Sequence, residues 1–266
     1  MRSAILPVLI LTASTLGIAL LSGCADESPE IWIFENGIID ESCDTSAGSY
    51  LARGTFDVYM RDNYLMSPRF SSTLAPSGSV TPAGGSPRGN QGTAWEANLI
   101  AIDRAEIRYD APDGIGVPLP SVQRIRLSGT ISPRGTNFGR LDVIPSELGS
   151  ILRESPLLRN RGDSFQLNVR VRVFGTTSGG RDVESNEFSF PVEVCKGCLV
   201  FIPPNAIDLA ADITPNCRNL TGGDEGAGGI CESIIGQDYP IDCRLVCPIM
   251  TALPNGDPLG VCEPTF

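Results

Sequence analysis

The sequence predicts a mainly β chain: an immunoglobulin-like antiparallel β-sandwich with one short helix and a cysteine-rich, disulfide-stapled C-terminal tail. Three observations predict it. Apolar and polar residues alternate with period two through several short segments, which puts one face of each strand in a core and the other in water. Glycine and proline are abundant, 29 and 21 in 266 residues, and separate those segments with turns. Seven of the nine cysteines lie from Cys195 onward, in a stretch too short and too polar for a large core of its own, and such a piece needs covalent staples.

The chain opens with an apolar run from Ala4 to Leu21, preceded by Arg2 and interrupted by Pro7, Thr12, Ser14, Thr15 and Gly17. Those interruptions make it a poor spanning helix and a good signal-peptide core, an uncleaved anchor being the alternative. The run ends in Leu21-Ser22-Gly23-Cys24, two small residues directly before a cysteine, and this resembles a bacterial lipobox. The resemblance implies that residues 1–23 are a signal peptide, that the Cys24 thiol receives a diacylglyceryl group, and that its new amine is acylated, as by palmitate. Each buried methylene contributes about 0.8 kcal/mol, so three chains hold a protein to a membrane almost permanently. The expected address is extracytoplasmic, lipid-anchored to the bacterial cell envelope at the outer membrane. Its expected partners are the membrane, through the N-terminal lipid, and envelope proteins.

Charge divides the rest of the chain into three. Between Ala25 and Asp44 there are seven acids and no base; from Thr45 to Val194, 15 acids face 16 arginines; from Cys195 onward there are nine acids and three bases. Residues 24–44 are therefore read as the lipidated cysteine and an acidic, solvated stalk, residues 45–194 as the sandwich domain and residues 195–266 as the tail. The formal net charge of −11 repels phosphate backbones, so nucleic acid is not expected as a partner.

Within the body, Tyr50, Phe56, Val58 and Met60 mark the first alternating stretch. Ala75 to Gly92 is rich in Pro, Gly and Ser without apolar periodicity and reads as a long exposed, dispensable loop. Trp95 to Tyr109 carries one or two strands, and Ile125, Leu127, Gly129 and Ile131 another. Pro145 to Leu158 fits a short helix with Ser146 as its cap and Leu148, Ile151 and Leu152 on one side. Phe165, Leu167, Val169, Val171 and Val173 share one face of a strand, with Gln166, Asn168, Arg170 and Arg172 on the other. After the turn-rich Gly175 to Gly180, Phe188, Phe190, Val192 and Val194 repeat the pattern and complete a hairpin. With strand faces taken by the core or by arginines, recognition is expected at loops held by the rigid sheet and, among candidates, at the tail with Tyr239 and its acidic rim.

The Val-x-Val-x-Val strand, the Gly-rich turn and the run Val183 to Cys195 resemble uncharacterised lipoproteins of myxobacterium-like bacteria. More distantly they resemble immunoglobulin-type or water-stress-type β-sandwiches. The resemblance implies the fold; it brings no activity and no site residue.

Setting Cys24 aside leaves Cys43, Cys195, Cys198, Cys217, Cys231, Cys243, Cys247 and Cys262. An even number in an extracytoplasmic chain reads as a disulfide framework, with 105 pairings open. If all eight pair, Cys43 reaches a tail cysteine. Cys195-Lys-Gly-Cys198 admits two other readings. A redox motif wants its first cysteine at a helix N-terminus, whereas this one follows a strand. A four-cysteine zinc site would add Cys243 and Cys247, and an oxidising compartment favours disulfides over it.

The absence of histidine removes Ser-His-Asp and Cys-His nucleophiles and His-ligated zinc hydrolases. The single lysine, Lys196, has no serine three residues before it. Asp44-Thr45-Ser46 lacks the glycine of an aspartic-protease motif and reads as a turn. The Gly-rich stretch 222–229 has no Gly-Lys-Ser/Thr ending and is no phosphate loop. Arg161-Gly162-Asp163 and Asp110 to Gly114 are read as turns rather than as an adhesion tripeptide or a calcium loop. No catalytic, cofactor-binding or metal residue is assigned and no cofactor is expected. The expected function is a non-enzymatic binding, adhesion or assembly role in the envelope; the alternative is a secreted hydrolase using a pair of carboxylates.

The anchor has a direct test. Intact-protein mass spectrometry of membrane fractions should find an acylated N-terminus at Cys24, and Cys24→Ala should accumulate as a non-acylated precursor. A mature N-terminus at any other residue removes the anchor.

Overall fold

The computed structural model describes residues 28–40, 43–77, 96–201 and 235–243. The signal-peptide region, Cys24, most of the 75–92 loop, Cys217, Cys231, Cys247, Cys262 and the 222–229 stretch lie outside the described residues. Among the described residues the chain is mainly β, with one helix within the body, as its alternation predicts.

Two sheets carry the body. The first has the order β2-β1-β5-β8, built from β1 (Ile31–Ile39), β2 (Thr45–Leu51), β5 (Pro68–Ser72) and β8 (Thr136–Phe138). The second has the order β3-β12-β10-β6-β7, with β3 (Gly54–Asp57), β6 (Ile100–Asp110), β7 (Gln123–Ile131), β10 (Ser164–Thr177) and β12 (Phe188–Cys195); the short β11 (Asp182–Glu184) also pairs with β10. A small pair joins β4 (Tyr64–Met66) to β9 (Leu141–Ile144), and another joins β13 (Val200–Phe201) to β14 (Ile241–Asp242). The expectation of a purely antiparallel body is corrected at one place: β3 runs parallel to β12.

The predicted hairpin forms, β10 pairing with β12 from Ser164↔Cys195 to Val171↔Phe188. Leu167, Val169, Val171, Val173, Val192 and Val194 are fully buried, so the alternating face does enter the core. One apolar cluster gathers Ile31, Ile33 and Phe70 from the first sheet, these valines from the second, and Tyr64, Met66, Val143, Leu148 and Leu152 from β4, β9 and the helix. At the end of its sheet β7 is wetter than its pattern suggests: Ile125 and Leu127 are only half-buried and Gly129 is exposed.

The helix α1 spans Ser146–Arg153. Its N-cap is Pro145, without a side-chain hydrogen bond, so Ser146 is its first residue and not its cap; the Ser146 hydroxyl lies 3.2 Å from Asp62 Oδ1 instead. Leu148 and Leu152 are buried, with Gly149 between them facing the Asp62 backbone so closely that any Cβ would collide with it. Ile151 stays half-buried.

The acidic stalk is the largest correction. Residues 31–39 form β1, which is interior to its sheet, flanked by β2 and β5. Ile31 and Ile33 are buried at 0% and 1% exposure, Asn36 is buried and accepts the Ser67 N–H at 2.7 Å, and Glu35 pairs with Arg69 at 2.8 Å. The charge count concealed this because the apolar run Ile31-Trp-Ile-Phe34 lacks alternation, both its faces being greasy. The body therefore begins before residue 45. Ile33→Ala should destabilise the protein by about 2–5 kcal/mol, the cost of a core cavity, whereas truncation in a solvated spacer costs almost nothing. Thermal or chemical unfolding distinguishes the two.

Candidate functional site

Two arrangements stand out: a polar dock that holds the tail, and an aromatic cleft where the two sheets part.

The dock starts at Asp57, the last residue of β3, which is fully buried. Its Oδ1 accepts N–H bonds from Gly197 at 2.8 Å and Tyr59 at 3.1 Å, and Oδ2 accepts from Leu199 at 3.1 Å. Burial pushes its carboxyl up despite those three donors and the nearby Arg161. The loop so held carries the Cys195–Cys198 disulfide. Arg161 reaches the same loop, donating to the Gly197 and Val200 carbonyls at 3.5 and 3.3 Å. The Arg161-Gly162-Asp163 tripeptide is thus a structural turn, Gly162 adopting φ +85° and donating to the Lys196 carbonyl at 2.8 Å.

Segment 235–243 docks beside β3. Asp57 N donates to the Gly236 carbonyl and Asp238 N to the Thr55 carbonyl, both at 2.9 Å. The Gln237 side chain clamps the Leu65 backbone from both sides: its Oε1 accepts the Leu65 N–H at 2.9 Å and its Nε2 donates to the Leu65 carbonyl at 2.6 Å. Asp238 Oδ1 accepts from Thr55 N at 2.8 Å and from the Tyr64 hydroxyl at 2.9 Å. Burial raises Asp238 to about 6, and raises Asp142, which like Asp238 interacts with Arg61, to about 6 as well. Tyr239, expected at a contact surface, is half-buried and packs against Ile39.

These contacts bear on the other sequence readings. Asp57, Cys195 and Cys198 bring their ligand atoms within 4.8 Å of one another, but the two sulfurs are bonded together and the carboxylate is spent on backbone donors. Cys43 and Cys243 are disulfide-bonded too, so the thiolates that zinc requires are consumed at Cys195, Cys198 and Cys243. Lys196 donates to the Arg159 carbonyl at 2.9 Å and sits 4.6 Å from the Tyr59 ring centroid. Asp110 pairs with Arg170 at 2.8 Å. Thr45 lies in β2, its hydroxyl 2.7 Å from that of Ser67. Among the described residues no helix is long and apolar enough to cross a membrane.

The cleft lies between β1, β2 and β12. Its volume is about 410 Å3, and Phe34, Glu35, Tyr50, Leu51, Phe188 and Ser189 line it. Trp32, Phe34 and Tyr50 are 41%, 43% and 61% exposed, unusual for side chains of that size. Arg69 lies 5.0 Å from the Phe34 ring centroid and 5.5 Å from that of Phe138, while its guanidinium pairs with Glu35. The cleft is thereby aromatic and close to electrically neutral. A second groove, of about 380 Å3, runs along α1 and holds Glu147; a third, of about 270 Å3, lies between β7 and β8 and holds Arg126 and Arg140. None of the three contains two carboxylates. Sequence reasoning missed the cleft because Phe34 and Glu35 fell in the segment read as a stalk.

The dock makes two measurable claims. A carboxyl whose folded pKa is raised is stabilising when protonated, so the contribution of Asp238 is full below about pH 4, its ordinary value, and is lost as pH rises through about 6. The thermal midpoint of the wild type relative to Asp238→Asn should therefore fall between pH 4 and pH 7; a constant difference would show that Asp238 titrates normally. For the staples, the denatured and unreduced protein should release no thiol from Cys43, Cys195, Cys198 or Cys243 in mass-resolved alkylation, and alkylation of Cys195 and Cys198 without reductant would reopen the zinc site.

No protein-family model and no curated protein matches this chain, so no relative lends it a site or an activity.

Proposed function

We propose that this protein is a lipid-anchored envelope protein that binds rather than catalyses, and that its recognition site is the aromatic cleft between β1, β2 and β12. One observation carries the reading: two large, substantially exposed aromatic side chains, Phe34 and Tyr50, line one groove together with Phe188, and Arg69 lies against the Phe34 ring. Aromatic and arginine side chains dominate binding energetics, the aromatics because they bury large area with few rotamers to freeze and arginine because its planar fork stacks on rings and donates several hydrogen bonds. The anchor motif at Leu21 to Cys24 supplies the address, and with it the class of partner: another component of the envelope.

The carboxylate-hydrolase alternative has its best candidates in Asp142 and Asp238. Asp238 is engaged by Thr55 and Tyr64 in holding the tail, and neither acid lines the three grooves.

Crosslinking in intact cells, with partners identified by mass spectrometry, tests the binding reading. Phe34→Ala combined with Tyr50→Ala should lose the partners captured by wild type while the thermal transition changes little, since both side chains are substantially exposed. Unchanged capture by that double variant would move recognition away from the cleft.

A further inference from the structure

The outer edge of β12 is filled by two different segments with a gap between them. On its inner side β12 pairs with β10 along its whole length. On its outer side β3 covers only Val192 to Cys195. At the other end, just before β12 begins, β1 touches the chain through an Ile31↔Ser185 bridge, and the Asn186 side chain clamps Ile33, accepting its N–H at 2.7 Å and donating to its carbonyl at 3.1 Å. β1 then passes into the other sheet. Among the described residues no outer strand lies beside Glu187 to Pro191, and the aromatic cleft opens there.

The backbone polarity of that gap is set by its neighbours. The Cys195 carbonyl accepts the Val58 N–H at 3.0 Å, so odd-numbered residues of β12 aim their backbone groups outward. Pro191 fits this parity, because a proline is tolerated where its missing N–H faces away from the paired strand. Ser189 then offers one N–H and one C=O, and Pro191 one C=O, along five residues that span roughly 16 Å, the length of an ordinary strand. The side chains around the gap are Phe34, Tyr50, Leu51 and Phe188, and the one carboxylate, Glu35, is already neutralised by Arg69.

We propose that the gap beside Glu187–Pro191 receives an extended, uncharged segment of a partner protein, which completes the outer edge of β12 as an added strand and rests its alternate apolar side chains on Phe34, Tyr50 and Phe188. This deepens the binding function proposed for the cleft and rests on it. Main-chain hydrogen bonds to Ser189 and Pro191 supply affinity, and the aromatic walls select apolar residues at every second position.

The test selects binders from a phage-displayed library of random dodecapeptides against the full chain with its disulfides intact, then synthesises the enriched sequences. The expected binders alternate apolar residues and protect the Ser189 amide from hydrogen exchange. N-methylation of the peptide at alternate residues should weaken them about tenfold in one register and little in the other, because only one register faces β12. Ser189→Pro, which removes the outward N–H just as Pro191 already does, should lose the same peptides with its thermal transition retained. Should that variant fail to fold, the N-methylated peptides still decide on the wild type. Binding insensitive to N-methylation in both registers, or no enriched sequence, overturns strand addition while partner capture through Phe34 and Tyr50 stands or falls separately. Protection of Ser189 in the protein alone, at low concentration or only at high, assigns the edge to its own chain or to a second copy and overturns the proposal equally.

Discussion

A sheet edge has one row of backbone donors and acceptors, and only one strand at a time can satisfy it. On the outer edge of β12 that constraint organises the molecule. β1 reaches it first, at Ser185 and Asn186, and then departs to become an interior strand of the other sheet. β3 takes over at Val192, parallel to β12. Because both strands come from one short stretch of chain, 31–57, the two sheets are tied where that stretch crosses between them, and a cleft is left where it does so.

The parallel pair is sustained by the segment beyond it. β3 is only four residues long, and segment 235–238 covers its far side. Gly54 allows this crowding, since a Cβ there would run into the Tyr64 hydroxyl and the Phe190 ring. Tyr64 in turn donates to Asp238, and its ring meets Phe56 edge to face and Phe190 at a tilt, with centroids 6.1 and 6.4 Å apart. Burying Asp57 and Asp238 costs desolvation, which their raised pKa values express, and the backbone donors around each carboxylate offset it. The tail is thus bound to the body by directional bonds as well as by cysteines.

Charge plays a smaller part. The arginines on the outward face of the second sheet meet cross-strand acids, as in Arg124 with Glu106 and Arg170 with Asp110 and Glu187. Exposed pairs of this kind contribute little to stability. Their effect is to keep the body near neutrality, while Phe34 and Tyr50 bring exposed aromatic area to the cleft.

The mainly β class, the β10–β12 hairpin, the approximate helix and the staple character of Cys195 and Cys198 were all legible in the sequence. Each depends on residues close together in the chain, and period-two alternation or short cysteine spacing records local geometry directly. The membership of β1 in the body was not legible: Ile31 to Phe34 is greasy on both faces, and whether such a run is stalk, core or exposed aromatic surface depends on strands far along the chain, such as β5 and β12. Nor was the docking of Asp57, Gln237 and Asp238, polar residues whose partners Gly197, Leu65 and Thr55 lie 140, 172 and 183 positions away. What the sequence determined by itself is the kind of element each stretch prefers, because that preference is a property of neighbouring residues. Which edge each strand completes, and therefore where the cleft opens, was decided only by tertiary structure, because an edge is satisfied by whichever segment the packed core brings beside it.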